Sequence, residues 1–202
     1  MIVLGITGSI GMGKSVAAAQ LRSLGVPVHD ADAAVHELLA PGGAAVRPVG
    51  KAFPGVVKNG AIDRARLGAQ VFGDERALAR LEGILHPLVR RAHGRFIAAA
   101  RRRRLGLVAL DIPLLFETGG EGQCDAVIVV SAPTFLQRQR VLKRPRMTEE
   151  RLAAIRARQM PDMEKRRWAD YVVPTGNGRR AGLRKLVGIV RSLERRRQRK
   201  EA

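Results

Sequence analysis

Eight residues near the amino terminus restrict this chain more than anything else in it. Gly8-Ser9-Ile10-Gly11-Met12-Gly13-Lys14-Ser15 follows the pattern Gly, four residues, Gly-Lys-Ser. Such a loop folds its backbone N–H groups around a phosphate, and it needs a strand before it and a helix start behind it. Both flanks are legible. Residues 2–7 form a short β-rich apolar run, and residues 15–24 read as a helix with Val16, Leu21 and Leu24 on one face, closed by Gly25. Glycine permits the tight turn, Lys14 can reach the β and γ phosphates, and the Ser15 hydroxyl can ligate Mg²⁺. Gly8, Ser9, Ile10, Gly11, Met12, Gly13, Lys14, Ser15 and Val16 are therefore expected to hold the phosphates of a nucleotide, ATP or GTP.

The remainder supports an α/β class. Residues 26–29 read as a second strand leading into Asp30-Ala31-Asp32 and a helix through about Leu39, broken by Pro41-Gly42-Gly43. Residues 44–104 carry helical periodicity at 67–71, 77–85 and 88–100 with little strand signal, as an α-helical insertion would. Residues 105–110, ending at Asp111, and residues 126–130 are further buried-strand runs. The stretch 134–167 is charged and helical, interrupted by Pro145 and Pro161 like a mobile hairpin. Residues 171–173 give the last strand and 183–193 the last helix. This alternation implies a parallel five-stranded sheet flanked by helices.

Composition narrows the partners less than the motif does. The net charge is +19, from 37 basic and 18 acidic residues, which favours polyanions: nucleic acid, anionic membrane or small phosphorylated molecules. The densest clusters, residues 101–104 and 195–200, sit at predicted helix ends, where cations complement the dipole, so solvated helix termini explain them. No apolar run approaches the ~20 residues of a membrane span, and the start lacks the features of a secretory signal. Cys124 is the only cysteine, which excludes an intrachain disulfide and fits a cytoplasmic location; it reads as a half-buried filler.

Which reaction follows depends on residues outside the loop. Asp30 and Asp32 lie at the end of the second strand, the edge at which open α/β sheets bind ligands. One carboxylate there can accept the proton of an attacking hydroxyl while another supports Mg²⁺, or one of them caps the next helix. Arg140 and Arg144, four apart on the expected hairpin helix, share a face from which two guanidinium groups could close over a triphosphate. A solvated face is the plainer account of either arginine. By itself His86 reads as the end of a helix before Pro87, and Leu114, Leu115 and Phe116 as core.

Taken together, Gly5 through Gly11, Asp30-Ala31-Asp32, Leu85-His86-Pro87-Leu88-Val89, Asp111-Ile112-Pro113-Leu114-Leu115-Phe116-Glu117 and Ala169-Asp170 closely resemble the dephospho-coenzyme A kinase family. The loop is generic; the combination of Leu-His-Pro with Pro-Leu-Leu-Phe-Glu is far more specific. The resemblance implies a P-loop kinase phosphorylating the ribose 3′-hydroxyl of dephospho-coenzyme A. Residues 1–40, 105–134 and 168–202 would form the nucleotide core, 41–104 a helical acceptor domain and 135–167 a lid. It further implies Asp32 as general base and Asp111 as a metal-supporting carboxylate. His86 and Pro113, Leu114, Leu115, Phe116 and Glu117 would line the acceptor site with Asp32, while Lys14, Arg140 and Arg144 contact phosphate. Some positions depart from the family pattern. Val16 stands where a second hydroxyl is frequent, His36 where many members carry Arg, and Pro174-Thr175-Gly176-Asn177-Gly178 replaces an Asp-Asn-Gly type of sequence. Lys165 sits where members have a basic residue. The competing readings are another small-molecule kinase, such as one for a nucleoside monophosphate, and a nucleotide-gated nucleic-acid binder. The latter would need exposed aromatics for base stacking, and one Trp with one Tyr offers little.

Overall fold

The structure is a computed structural model that describes residues 1–201, with side chains as far as Arg199; Ala202 and the side chains of Lys200 and Glu201, which belong to the expected segment 168–202, lie outside the described residues. In chain order, β1 (Ile2–Thr7) leads through the glycine loop into α1 (Lys14–Ser23), and β2 (Val28–Asp30) into α2 (Ala31–Leu39). Then come α3 (Val46–Ala52), the short strands β3 (Val57–Lys58) and β4 (Ala61–Ile62), α4 (Arg64–Val71) and the long α5 (Glu75–Arg102). β5 (Leu107–Asp111), a 3₁₀ turn at Gly120–Gln123 and β6 (Ala126–Ser131) precede α6 (Thr134–Leu142), α7 (Glu149–Ala157) and α8 (Asp162–Trp168). β7 (Tyr171–Pro174) and α9 (Arg179–Glu201) complete the described chain. Two compact units result: Met1–His29 with the chain from Ala100 onward, and Asp30–Ala99.

The first unit is built on a five-stranded parallel sheet in the order β2-β5-β1-β6-β7. β1 is central, with Ile6 in register with Asp111 on one side and Ile128 on the other. Every residue of β5 and β6 is buried, as strands covered on both faces must be, which explains their unbroken Val, Ile, Leu and Ala runs. Leu4, Ile6, Leu21, Ile128, Leu186 and Leu193 form the heart of a core shared with α1 and α9. Among the described residues, no helix is long and apolar enough to cross a membrane.

The second strand begins two residues later than the sequence pattern 26–29 suggests. Val26 is spent closing α1: its N–H bonds to Leu21 O (3.0 Å) while that of Gly25 bonds to Arg22 O (3.0 Å). The carboxyl-terminal cluster is also only partly a solvated helix end, because Arg197 is half-buried and its guanidinium lies over Gly106.

The second unit packs Leu38, Val49, Phe53, Val56, Ile62, Leu67 and Leu81 into its own core. Two expectations fail in it. The helices expected at 77–85 and 88–100 are one 28-residue helix, α5, running through Pro87, so His86 ends nothing. A proline inside a helix costs about 3 kcal/mol. Leu81, buried, and Ile84, Leu85, Leu88 and Val89, partly buried against this core, together offset it, since full burial of one such side chain is worth about 1.5–3 kcal/mol. The strands β3 and β4 form a hairpin in a region read as helical. Asn59-Gly60 between them, at φ 50° and 75°, is the turn that selects it.

Candidate active site

The glycine loop leaves β1 and closes on α1 with a geometry that only glycine satisfies at two points. Gly11 and Gly13 have φ of +75° and +95°, where side chains are strained. A Cβ on Gly11 would also lie 2.5 Å from Val141, and one on Gly8 would lie 2.6 Å from the Val130 carbonyl. The loop is therefore pressed against its neighbours and its shape is held from outside. Gly13 caps α1 without a side chain, and the first turn carries no acidic residue. Val16 and Ala17 already donate to the Gly13 carbonyl, and the positive helix end at Lys14 and Ser15 is left for an anion.

Lys14 Nζ lies 2.5 Å from Asp111 Oδ1. Asp111 is only 2% exposed and ends β5, one strand from the loop. Ser15, the next residue after Lys14, is exposed. These donors suit Mg²⁺ bound mainly through phosphate and water: hard oxygens, one nearby carboxylate, and among the described residues no cluster of three or more ligating side chains.

Arg140 and Arg144 do not share a helical face. α6 ends at Leu142, and Arg144 falls in the turn before Pro145, because the residue preceding proline is pushed out of the helical region. Arg140 donates from Nη1 to Thr175 Oγ1 (3.0 Å) and from Nη2 to Thr175 O (2.8 Å). Thr175 Oγ1 in turn donates to Met12 O (2.6 Å), so the arginine supports the loop through the residue that follows β7. Arg144 is exposed.

The segment after β5 divides in two. Pro113 and Leu114 are half-buried, and Thr7 Oγ1 donates to the Pro113 carbonyl (3.0 Å). Leu115 and Phe116 are buried. The Phe116 ring meets Trp168 edge-on, with centroids 5.8 Å apart. Glu117 Oε1 accepts from Met160 N (2.9 Å) and lies 2.7 Å from Lys165 Nζ, a fully buried ammonium. Gln137 and Gln159 hold Ile10 through its carbonyl and its N–H. Sequence reasoning missed Thr175, Gln137 and Gln159 as supports of the loop, because a glutamine or threonine bonded to backbone has the same signature as a solvated one. A cleft of about 870 Å³ behind the loop is lined by Ser9, Met12, Ser131, Gln137, Gln159 and Asp162, among others.

In the second unit, Asp30 is the cap of α2, accepting from Asp32 N (2.9 Å) and Ala33 N (3.1 Å). Asp32 is exposed in the first turn of that helix and His36 is exposed in its last. His86 is half-buried on α5. Cys124, in the first unit, is a packing group. Burial first, then Asp125 and Glu121, push its thiol up to about 12, and a Cβ at Gly5 would approach its sulfur to 2.8 Å.

Comparison with known proteins converges on one description. The family model for dephospho-CoA kinase matches residues 2–180. A dephospho-CoA kinase of Paramagnetospirillum magneticum is 68% identical over 166 residues, 82% of this chain and 78% of that one. Another, of Mesorhizobium japonicum, is 55% identical over 96% of this chain and 97% of its own. Among solved structures, a Thermus thermophilus protein superposes with TM-score 0.81 at 38% identity, covering 95% of this chain and 96% of the other. A shikimate kinase of Acinetobacter baumannii shares the fold at TM-score 0.53 and 19% identity, over 95% and 94% of the two chains.

Proposed function

Because the chain belongs to the dephospho-CoA kinase family, we propose that its glycine loop holds ATP with Mg²⁺ while Asp32 draws the proton from the acceptor hydroxyl. The family's activity is phosphoryl transfer from ATP to the ribose 3′-hydroxyl of dephospho-CoA, giving coenzyme A and ADP in the last step of CoA biosynthesis. The readings as a nucleoside monophosphate-type kinase or a nucleic-acid binder are not favoured. Cytoplasmic residence belongs to the same proposal.

The observation that carries the donor half is the Lys14–Asp111 pair beside an uncapped helix start. Gly8 to Val16 wrap the phosphates, and Lys14 balances their charge. Ser15 and Asp111 would hold Mg²⁺, which when bound neutralises charge between the β and γ phosphates. Arg140 and Arg144 are the lid cations of this reading; the bonds from Arg140 to Thr175 favour a role at the edge of the cradle.

On the acceptor side, Asp30 supplies the cap of α2, which leaves the exposed Asp32 carboxylate without that duty. His86 and residues 113–116 are the acceptor-side residues of this reading. Pro113 and Leu114 are half-buried, whereas Glu117, which the resemblance also implied for the acceptor, has its Oε1 taken by Met160 N and Lys165 Nζ.

The decisive experiment incubates the protein with Mg-ATP and dephospho-CoA and follows coenzyme A and ADP by mass. Asp32→Asn should lower turnover about 10²–10⁴-fold, the range typical of a general base, while sparing ATP binding. Near-normal turnover in Asp32→Asn would end its assignment as base. ADP formed without coenzyme A would revive a different kinase or ATPase.

A further inference from the structure

The short segment 159–165, at the foot of the hairpin formed by α6, α7 and α8, reaches the chain behind three adjacent strands. Gln159 Oε1 accepts the N–H of Ile10, behind β1 (3.0 Å). Met160 N donates to Glu117 Oε1, behind β5, and Lys165 Nζ contacts the same oxygen. Asp162 Oδ2 accepts from Ser131 Oγ, at the end of β6 (2.7 Å). From α6, Gln137 Nε2 donates to the Ile10 carbonyl (2.8 Å). Both peptide groups flanking Ile10 are therefore held by side chains from the hairpin. In a planar trans peptide the C=O and N–H point in opposite directions. Fastening the Ile10 carbonyl from one side thus aims the Gly11 N–H the other way.

Stability alone does not account for this arrangement. An ammonium buried to 0% exposure needs near-ideal partners to offset its desolvation, and apolar side chains of similar volume would serve packing at least as well. What Lys165 supplies is an anchor for the Glu117 carboxylate, whose bond from Met160 N is directional. Glu117 Oε1 fixes the Met160 peptide, and the neighbouring residue, Gln159, grips Ile10. We propose that Glu117, Lys165 and Gln159 are positioning residues for phosphoryl transfer, linking the chain beyond β5 to the middle of the phosphate loop through two consecutive residues of the hairpin.

The inference rests on the kinase reading for its turnover assay, but ATP affinity reads it without any acceptor. The test is a mutant cycle. Gln159→Ala removes the grip on Ile10. The paired change Glu117→Leu/Lys165→Met replaces the ion pair by packing, so no buried charge is left uncompensated. Each should weaken ATP binding and lower kcat/KM for ATP by about tenfold, and their combination by little more than tenfold, because both cut the same link. Effects multiplying to about a hundredfold would show two independent contacts and overturn the proposal. It is equally overturned if the paired change leaves the Kd for ATP intact and raises only the KM for dephospho-CoA, which would make Glu117 a group of the acceptor site. Should the paired variant fail to fold, Glu117→Gln carries the same cycle under the same criteria.

Discussion

In the sheet unit, Lys14 reaches Asp111, Arg140 reaches Thr175, Thr175 reaches Met12 and Lys165 reaches Glu117, each between segments far apart in the chain. In residues 30–99 several polar side chains do local work. Asp30, Asp63 and Asp74 accept backbone N–H groups two or three residues ahead, while Arg66 and Gln70 hold the carbonyls of Gly55 and Pro54. The packing of the second unit comes from an apolar cluster running from Leu38 to Leu81. The difference is one of direction. Burial of apolar surface is favourable in any orientation and brings helices together, but hydrogen bonds depend on angle and can hold a loop peptide at a set tilt. Of these contacts, the ones spanning long sequence distances belong to the unit carrying the phosphate loop.

Lys14→Ala tests this most severely. Losing one charge aimed at phosphate should cost about 10²–10³ in turnover. The same change takes from the buried Asp111 carboxylate its ammonium partner, so the melting temperature should also fall. A variant that lost turnover with unchanged melting would show that the pair is dispensable to the fold. Phe53→Ala is the matching cut in the second unit. Truncating this buried ring should cost about 3–5 kcal/mol, read by denaturant unfolding, with ATP binding retained. Loss of ATP binding would break the separation between the units.

The smallest effect belongs to Cys124, which lies in the sheet unit yet serves packing. With its thiol near 12, only about 10⁻⁴ of it is thiolate at pH 8, so iodoacetamide should modify the folded protein far more slowly than the unfolded one. The sign of the pH effect follows. The unfolded thiol ionises from about pH 9 while the folded one keeps its proton, so this group lowers stability as pH rises from 9 toward 12. Rapid labelling of the folded protein at pH 8 would place Cys124 among the accessible groups.

Much of this was legible beforehand. Gly11 and Gly13 are glycines because of their own backbone angles, and Val-Ile-Leu runs mark buried parallel strands, so loop, sheet and family motifs can be read from local pattern. Asn59-Gly60 announced a hairpin on equally local grounds, and the helical periodicity around it masked the signal. Pro87 misled in the opposite way, since a local rule about helix breaking lost to a long apolar stripe.

What the sequence determined by itself is therefore the set of features written within one or two turns of chain: the phosphate loop, the strands of the central sheet, the motifs that identify the family. Which lysine faces Glu117, which residue anchors Arg140, where α6 stops relative to Arg144 and what holds Ile10 were decided only by the tertiary structure. These are pairings between groups tens of residues apart, and the energy of a polar contact depends on distance and angle that no spacing along the chain encodes.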